Sequence, residues 1–93
     1  MLGIALSDRV QAVVDSLSDA NLGEFRQIEA HLAEFLPALI NGGLVTVSTL
    51  YGIDGYRYYD QRFPYLILFQ HLVEQDSERE YLFLYLMVRA DPH

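Results

Sequence analysis

Two apolar runs near the C-terminal end, "YLILFQHLV" at 65–73 and "YLFLYLMVR" at 81–89, constrain the fold more than any other feature of this chain. Each is apolar at almost every position over the length of one strand, the pattern of a strand covered on both faces. The charged stretch between them, "EQDSERE", suits a hairpin loop. By period-two alternation, "EYLFLYLMVR" places Leu82, Leu84, Leu86 and Val88 on one side and Tyr81, Phe83, Tyr85, Met87 and Arg89 on the other. Two such strands need covering layers, and the rest of the chain has to supply them.

The first half reads as helical and provides one layer. After a short apolar "LGIAL", Ser7 or Asp8 is placed to cap a helix, and Val10, Val13, Val14 and Leu17 then recur at helical spacing. "LSDANLGEF" breaks that helix and starts a second one, with Asp19 or Asn21 as cap and Glu24 as a capping-box acid. Leu22, Phe25, Ile28, Leu32, Phe35, Leu36, Leu39 and Ile40 carry a stripe as far as Gly42-Gly43. Pro37 is expected to bend or end the regular part, because it lacks a backbone donor and its ring clashes with the preceding turn. The two helices are expected to form an antiparallel hairpin.

From Leu44 the pattern becomes strand-like. "LVTVSTLY" is rich in β-branched residues, and "GIDGYRYY" supplies a turn through Gly52, Asp54 and Gly55. Pro64 belongs at a strand start, where a missing donor matters least. The expectation is therefore a single α+β domain over 1–93, with an N-terminal helix hairpin packed on a three- to four-stranded antiparallel sheet. The hairpin can cover only one face of that sheet, so the aromatic face either meets a partner or is wrapped by something else.

Charge and composition narrow the function. Thirteen acids oppose six arginines and there is no lysine, for a net charge of −7. Affinity for nucleic acid rests largely on neutralising phosphates, so this balance argues against broad electrostatic binding of DNA or RNA and leaves only a local arginine patch. There is no cysteine, which excludes disulfides and cysteine-rich metal or redox motifs. No run approaches the ~18–20 apolar residues of a membrane span, and the N-terminus does not read as a secretory signal. The expected location is the cytoplasm, with no membrane association.

Several stretches resemble the RelE/ParE toxin superfamily. "VQAVVDSLSDANLGEFRQIEAHLAEF" resembles its first two helices, "RFPYLILFQ" its Arg-Phe-Pro-Tyr strand opening, and "LYLMVRADP" its final strand running into an Arg-Asp-Pro-like tail. The resemblance implies a toxin of a type II toxin-antitoxin module, neutralised by a cognate antitoxin wrapped around it. RelE-type members cut messenger RNA on the ribosome, and ParE-type members poison DNA gyrase. The chain departs from the RNA-cutting pattern, whose members are usually strongly basic with lysines on the sheet.

RNA cleavage needs a base, a cation for the phosphate and an acid for the leaving oxygen. If the family fold holds, Arg57, Arg62 and Arg89 would supply cations, Tyr85 an acid or a stacking ring, and His93 is the nearest histidine in sequence. The bland alternative makes Arg57 and Arg62 solvated loop residues beside Asp54 and Asp60, and Tyr85 a core residue. Five of the seven tyrosines fall in residues 51–65. A dense tyrosine group marks a binding surface or packs a strand, so Tyr56, Tyr58, Tyr59 and Phe83 are candidate partner-binding residues, with Tyr56 and Tyr58 on the opposite side from Tyr59. His31 and Glu34, with Gln27, lack a third ligand, so neither a metal nor another cofactor is expected. His71, among apolar neighbours, reads as a sheet histidine. Two further readings stand beside the toxin: a non-catalytic acidic interaction protein, such as a phage-type inhibitor whose acidic helices imitate phosphate charge, and a homodimer joined through the exposed aromatic face.

Overall fold

The structure, a computed structural model, describes residues 2–90. Its elements are β1 (Gly3–Leu6), α1 (Asp8–Asp15), α2 (Asp19–Asn41), β2 (Val45–Leu50), β3 (Ile53–Tyr58), β4 (Tyr65–Glu74) and β5 (Arg79–Arg89). They form one five-stranded sheet in the order β1-β5-β4-β3-β2. β2 to β5 run as an antiparallel meander, and β1 lies parallel to β5 with Gly3 beside Tyr81 and Leu6 beside Leu84. The class is α+β as expected, but the sheet has five strands and is mixed rather than three- to four-stranded and antiparallel. The difference is β1, whose four residues are too few to show a period. It pairs because the outer side of β5 would otherwise leave a row of backbone donors and acceptors without partners.

The helices are not a matched hairpin. α1 has eight residues, about 12 Å, against about 34 Å for the 23 of α2, so it cannot run the length of its neighbour. α1 sits against β5 and β1, while α2 crosses towards β2. Ser7 caps α1, its Oγ accepting from the Val10 amide at 3.1 Å. α2 is capped by Ser18, whose Oγ accepts from the Asn21 amide at 3.3 Å, rather than by Asp19 or Asn21. Ser18 holds the extended backbone that a cap requires, and Asp19 is already the first helical residue. Glu24 therefore falls too far along to close a capping box.

Pro37 bends α2 as expected: Phe35 leaves helical geometry at φ −118°, ψ 17°, and the helix then resumes to Asn41. In a regular helix the amide of residue 37 would donate to the carbonyl of residue 33. Proline has no such amide, and the Ala33 carbonyl instead accepts from the Leu2 amide at 3.1 Å. The kink thus provides the acceptor that ties the start of β1 to α2.

All the large apolar residues that the helices bury join a single core. Val10 and Val14 of α1 and Phe25, Ile28, Leu32, Leu36 and Leu39 of α2 meet Val45, Tyr58, Phe63, Ile67, Phe69, Leu82, Leu84 and Met87. Both helices therefore cover the same face of the sheet. The opposite, open face is set by the register of β4 on β5. Leu68 pairs with Leu86 but Phe69 pairs with Leu84, so Tyr85 is an extra residue with no partner, a β-bulge. The bulge breaks the alternation expected for β5. Leu82 and Leu84 do face the core, but Met87 joins them there, and Leu86 and Val88 turn to the open face beside Leu68 and Leu66.

The β2–β3 turn also differs from expectation. Leu50 pairs with Ile53, which makes Tyr51 and Gly52 a two-residue turn with φ of 57° and 72°. Two positive φ values are the mark of the type I′ hairpin turn, whose twist suits the strands. Asp54 and Gly55 belong to β3, and Gly55 is needed there for closeness: a Cβ would stand 2.5 Å from the Phe69 carbonyl oxygen of β4. Among the described residues, no helix is long and apolar enough to cross a membrane.

Tyr51 holds a left-handed backbone that costs a non-glycine residue roughly 1–2 kcal/mol, and its side chain is 73 % exposed, so little packing offsets the cost. Tyr51→Asn, which tolerates this conformation, is expected to raise the stability to urea by about 1 kcal/mol. An unchanged or lower midpoint would show that the Tyr51 ring contributes contacts that outweigh the strain.

Candidate functional site

Two regions concentrate the residues to which function was assigned: the open sheet face, and the loop 59–64 where it returns against α2. On the open face, Arg57 of β3 pairs with Leu68 on one side and Thr46 on the other, and its Nε donates to Thr46 Oγ1 at 2.9 Å. Gln70 of β4 reaches β3 in turn, its side-chain amide donating to the Asp54 carbonyl at 3.0 Å. Phe83 pairs with Gln70, and Leu66, Leu86 and Val88 extend an apolar band beyond it, all half-buried. Leu68 at the centre is fully buried, although it does not belong to the helix-side core. The face is therefore an apolar band with Arg57 towards the β2–β3 side and Arg79, opposite Glu74, at the end of the β4–β5 hairpin.

The loop is organised by Asp60. Its Oδ1 accepts from the Arg62 amide at 2.9 Å and from Arg62 Nε at 3.1 Å, and its Oδ2 accepts from Arg62 Nη2 at 2.9 Å and from the Tyr58 hydroxyl at 3.4 Å. The Arg62 hydrogen bonds hold the Asp60 carboxyl at about 2, against the opposing effect of burial. The same bonds push the Arg62 guanidinium above its ordinary value. Burial, then the charge of Asp60, pushes the Tyr58 phenol up. The Phe63 amide donates to the Asp60 carbonyl at 2.9 Å, which turns Phe63 inward to pack 5.9 Å from the Phe25 ring and 5.5 Å from that of Tyr65. Between this loop and α2 lies a cleft of about 170 Å³ lined by Gln27, Ile28, His31, Tyr58, Asp60 and Arg62. His31 packs against Phe35, the ring centres 5.2 Å apart and the planes tilted by 55°.

The four residues proposed for catalysis do not share one face. Arg57 is on the open face. Arg89 pairs with Tyr65 and lies 5.7 Å from the centre of its ring, on the side where Tyr65 packs against the core. Arg62 is in the loop with its charge matched by Asp60. The Tyr85 hydroxyl is buried without a hydrogen-bond partner among the described residues, and burial pushes its phenol up. His93 lies outside the described residues. Of the four aromatic residues proposed for partner binding, Tyr58 is in the core and Tyr56 stacks on Phe69 at 5.7 Å beside it, while Tyr59 is exposed and Phe83 lies on the open face.

Two groupings escaped sequence reasoning. His71 Nε2 stands 3.5 Å from Glu80 Oε2 on the neighbouring strand, a pairing that needs the β4–β5 register to be seen. Gln27 and His31 meet Tyr58, Asp60 and Arg62 across the cleft; the only signal was their i, i+4 spacing on α2. Among the described residues, no group of three or more His, Cys, Asp or Glu is placed to hold a metal ion. No family model, no curated protein and no solved structure matches the chain.

The depressed Asp60 carboxyl makes the fold acid-sensitive. A group whose folded value lies below its unfolded value, ordinarily near 3.9, stabilises above that value and loses the contribution as pH falls. Stability should drop between about pH 4 and pH 2, and Asp60→Asn, weaker than the parent at neutral pH, should converge on it in urea melts across that window. Parallel pH profiles would mean that Asp60 does not carry the dependence. A second expectation concerns Tyr85: removing an unpartnered buried hydroxyl by Tyr85→Phe should leave stability unchanged or raise it by up to about 1 kcal/mol. A loss larger than that would place a partner on the hydroxyl.

Proposed function

We propose that the chain is a RelE/ParE-type toxin that acts by binding a protein target, in the ParE manner, through the open face of its sheet. The observation that carries this reading is that face: an apolar band of Leu66, Phe83, Leu86 and Val88, with Arg57 beside it, that neither helix covers. The resemblance at "RFPYLILFQ" and "LYLMVRADP" supports the family, and so does the order of a short strand, two helices and an antiparallel meander. The position of the arginines supports binding over RNA cleavage. Arg57 and Arg89 lie on opposite faces, and Arg62 is matched by Asp60, so no phosphate meets them together. A net charge of −7 acts in the same direction.

The second reading is a non-catalytic acidic interaction protein without toxicity, favoured by the same charge and by the pairing of Arg62 with Asp60. An antitoxin fits the first reading as partner and a stable protein partner the second.

Induction of the chain alone in a bacterial culture separates the readings. The expected outcome is growth arrest with altered supercoiling and intact messenger RNA. Arg57→Glu should relieve the arrest and raise the inducer dose needed at least tenfold, and Tyr85→Phe should leave it unchanged. Arrest with cleaved messenger RNA would overturn the binding mechanism, and normal growth would remove the toxin reading in favour of the interaction protein.

A further inference from the structure

Among the described residues the sheet ends at β2, so one side of the β2 backbone has no strand beside it. Natural edge strands are usually guarded by charges, proline, bulges or brevity. β2, "VTVSTL", has none of these guards: six residues pair with β3 without a break, and none is charged or proline. It lies inside the longest uncharged run of the chain, residues 35–53 between Glu34 and Asp54. Exposed large apolar side chains also gather here. Of the eight among the described residues, five are Leu44, Val47, Leu50, Tyr51 and Ile53, with Val47 at 74 % and Leu44 at 64 %. The other edge, β1, is four residues long, and the Leu2 amide before it is already taken by α2.

We propose that β2 pairs antiparallel with β2 of a second copy about a two-fold axis, joining two sheets into one of ten strands. The sequence of the edge argues for a second copy as occupant. Antiparallel pairing keeps each side chain on its own face only when the axis passes through a residue position. Centred on Val47, the pairing sets Val47 against itself, Val45 against Thr49, Thr46 against Ser48, and Leu44 against Leu50. β-Branched residues then meet β-branched residues, hydroxyls meet hydroxyls, and the two exposed leucines meet each other, all favourable cross-strand pairs. Charge argues the same way. Two copies of a chain at −7 repel wherever acidic surfaces approach, and this edge presents none. The tip of the β4–β5 hairpin, by contrast, carries Glu74, Asp76, Glu78 and Glu80.

The ladder is about 20 Å long, short of a standard-size interface, so the dimer should dissociate on dilution. It would place the open faces of the two copies in one continuous surface, with a copy of Arg57 one strand in from each side of the junction. The inference does not depend on growth inhibition and stands or falls by association alone.

Sedimentation velocity of the purified full chain over a wide range of concentration tests it. The wild type is expected to pass from monomer to dimer as concentration rises. Val47→Lys and Val47→Glu, at an exposed position, should keep the wild-type circular dichroism and each weaken the dimer roughly a hundredfold, because like charges then oppose each other across the axis. Mixing the two variants should restore a dimer. Val73→Lys, at an exposed apolar position on β4, is the control and should dimerise as the wild type does. A wild type that stays monomeric at every concentration overturns the proposal, as does a dimer that neither Val47 variant weakens. Failure of the mixture to associate, with both variants folded, overturns the pairing centred on Val47.

Discussion

The packing of one helix stripe on two central strands supports everything else in this molecule. Phe25, Ile28, Leu32 and Leu36 of α2 join Ile67 and Phe69 of β4 and Leu82 and Leu84 of β5 in one core, each with almost no exposure. At roughly 1.5–3 kcal/mol for each fully buried large apolar side chain, these residues contribute the largest favourable share of folding. Other features refine this contact. Asp60 shapes the loop that sends Phe63 into the core beside Phe25, and the carbonyl freed by Pro37 holds the start of β1. A proline that costs the helix a hydrogen bond therefore helps to close the far edge of the sheet.

The bulge at Tyr85 then decides which side chains remain for function. Without it, strict alternation would direct Leu86 and Val88 into the core and Met87 onto the open face. With it, Met87 fills the core and the two branched residues join Leu66, Leu68 and Phe83. The bulge is held from the next element in space. Ser7 donates its hydroxyl to the Tyr85 carbonyl at 3.0 Å, its amide donates to the Leu84 carbonyl at 2.9 Å, and its oxygen also caps α1. One serine thus joins the start of a helix to the irregularity that gives the open face its composition.

The parts of this architecture that sequence made legible were those written in local periodicity. The stripe from Leu22 to Ile40, apart from Phe35, which the bend leaves exposed, the stop at Gly42-Gly43, the bend at Pro37 and the two long strands around a polar hairpin all depend on residues within a few positions of one another. What could not be read depends on distant partners. Nothing in "GIAL" says that it lies parallel to β5, and nothing in "LFLYLM" marks Tyr85 as the residue left out of register, because that depends on Leu68 and Phe69 opposite. Tyr51 does not read as a turn residue because its type argues against the left-handed backbone it adopts. The candidate site suffered most. The resemblance groups the three arginines and alternation adds Tyr85 beside Arg89, but the bulge breaks that alternation at Tyr85, Asp60 claims Arg62, and Arg57 and Arg89 lie on opposite faces.

The separation of the arginines follows from this geometry and carries the functional argument. Catalysis on a phosphodiester needs cations and a proton donor converging within hydrogen-bond reach of one group. Here one arginine is matched by a carboxylate, one packs at the ring of Tyr65, and one lies across an apolar band on the other side of the sheet. An apolar band with Arg57 beside it is suited to a protein surface, where buried apolar area supplies affinity and a charge orients the partner. A chain with this charge balance gains more from such a contact than from nucleic acid, since an acidic molecule approaching phosphates must first overcome its own field. The uncharged edge at β2 extends the same logic: the regions from which the chain has excluded acids are the regions it can bring against another protein.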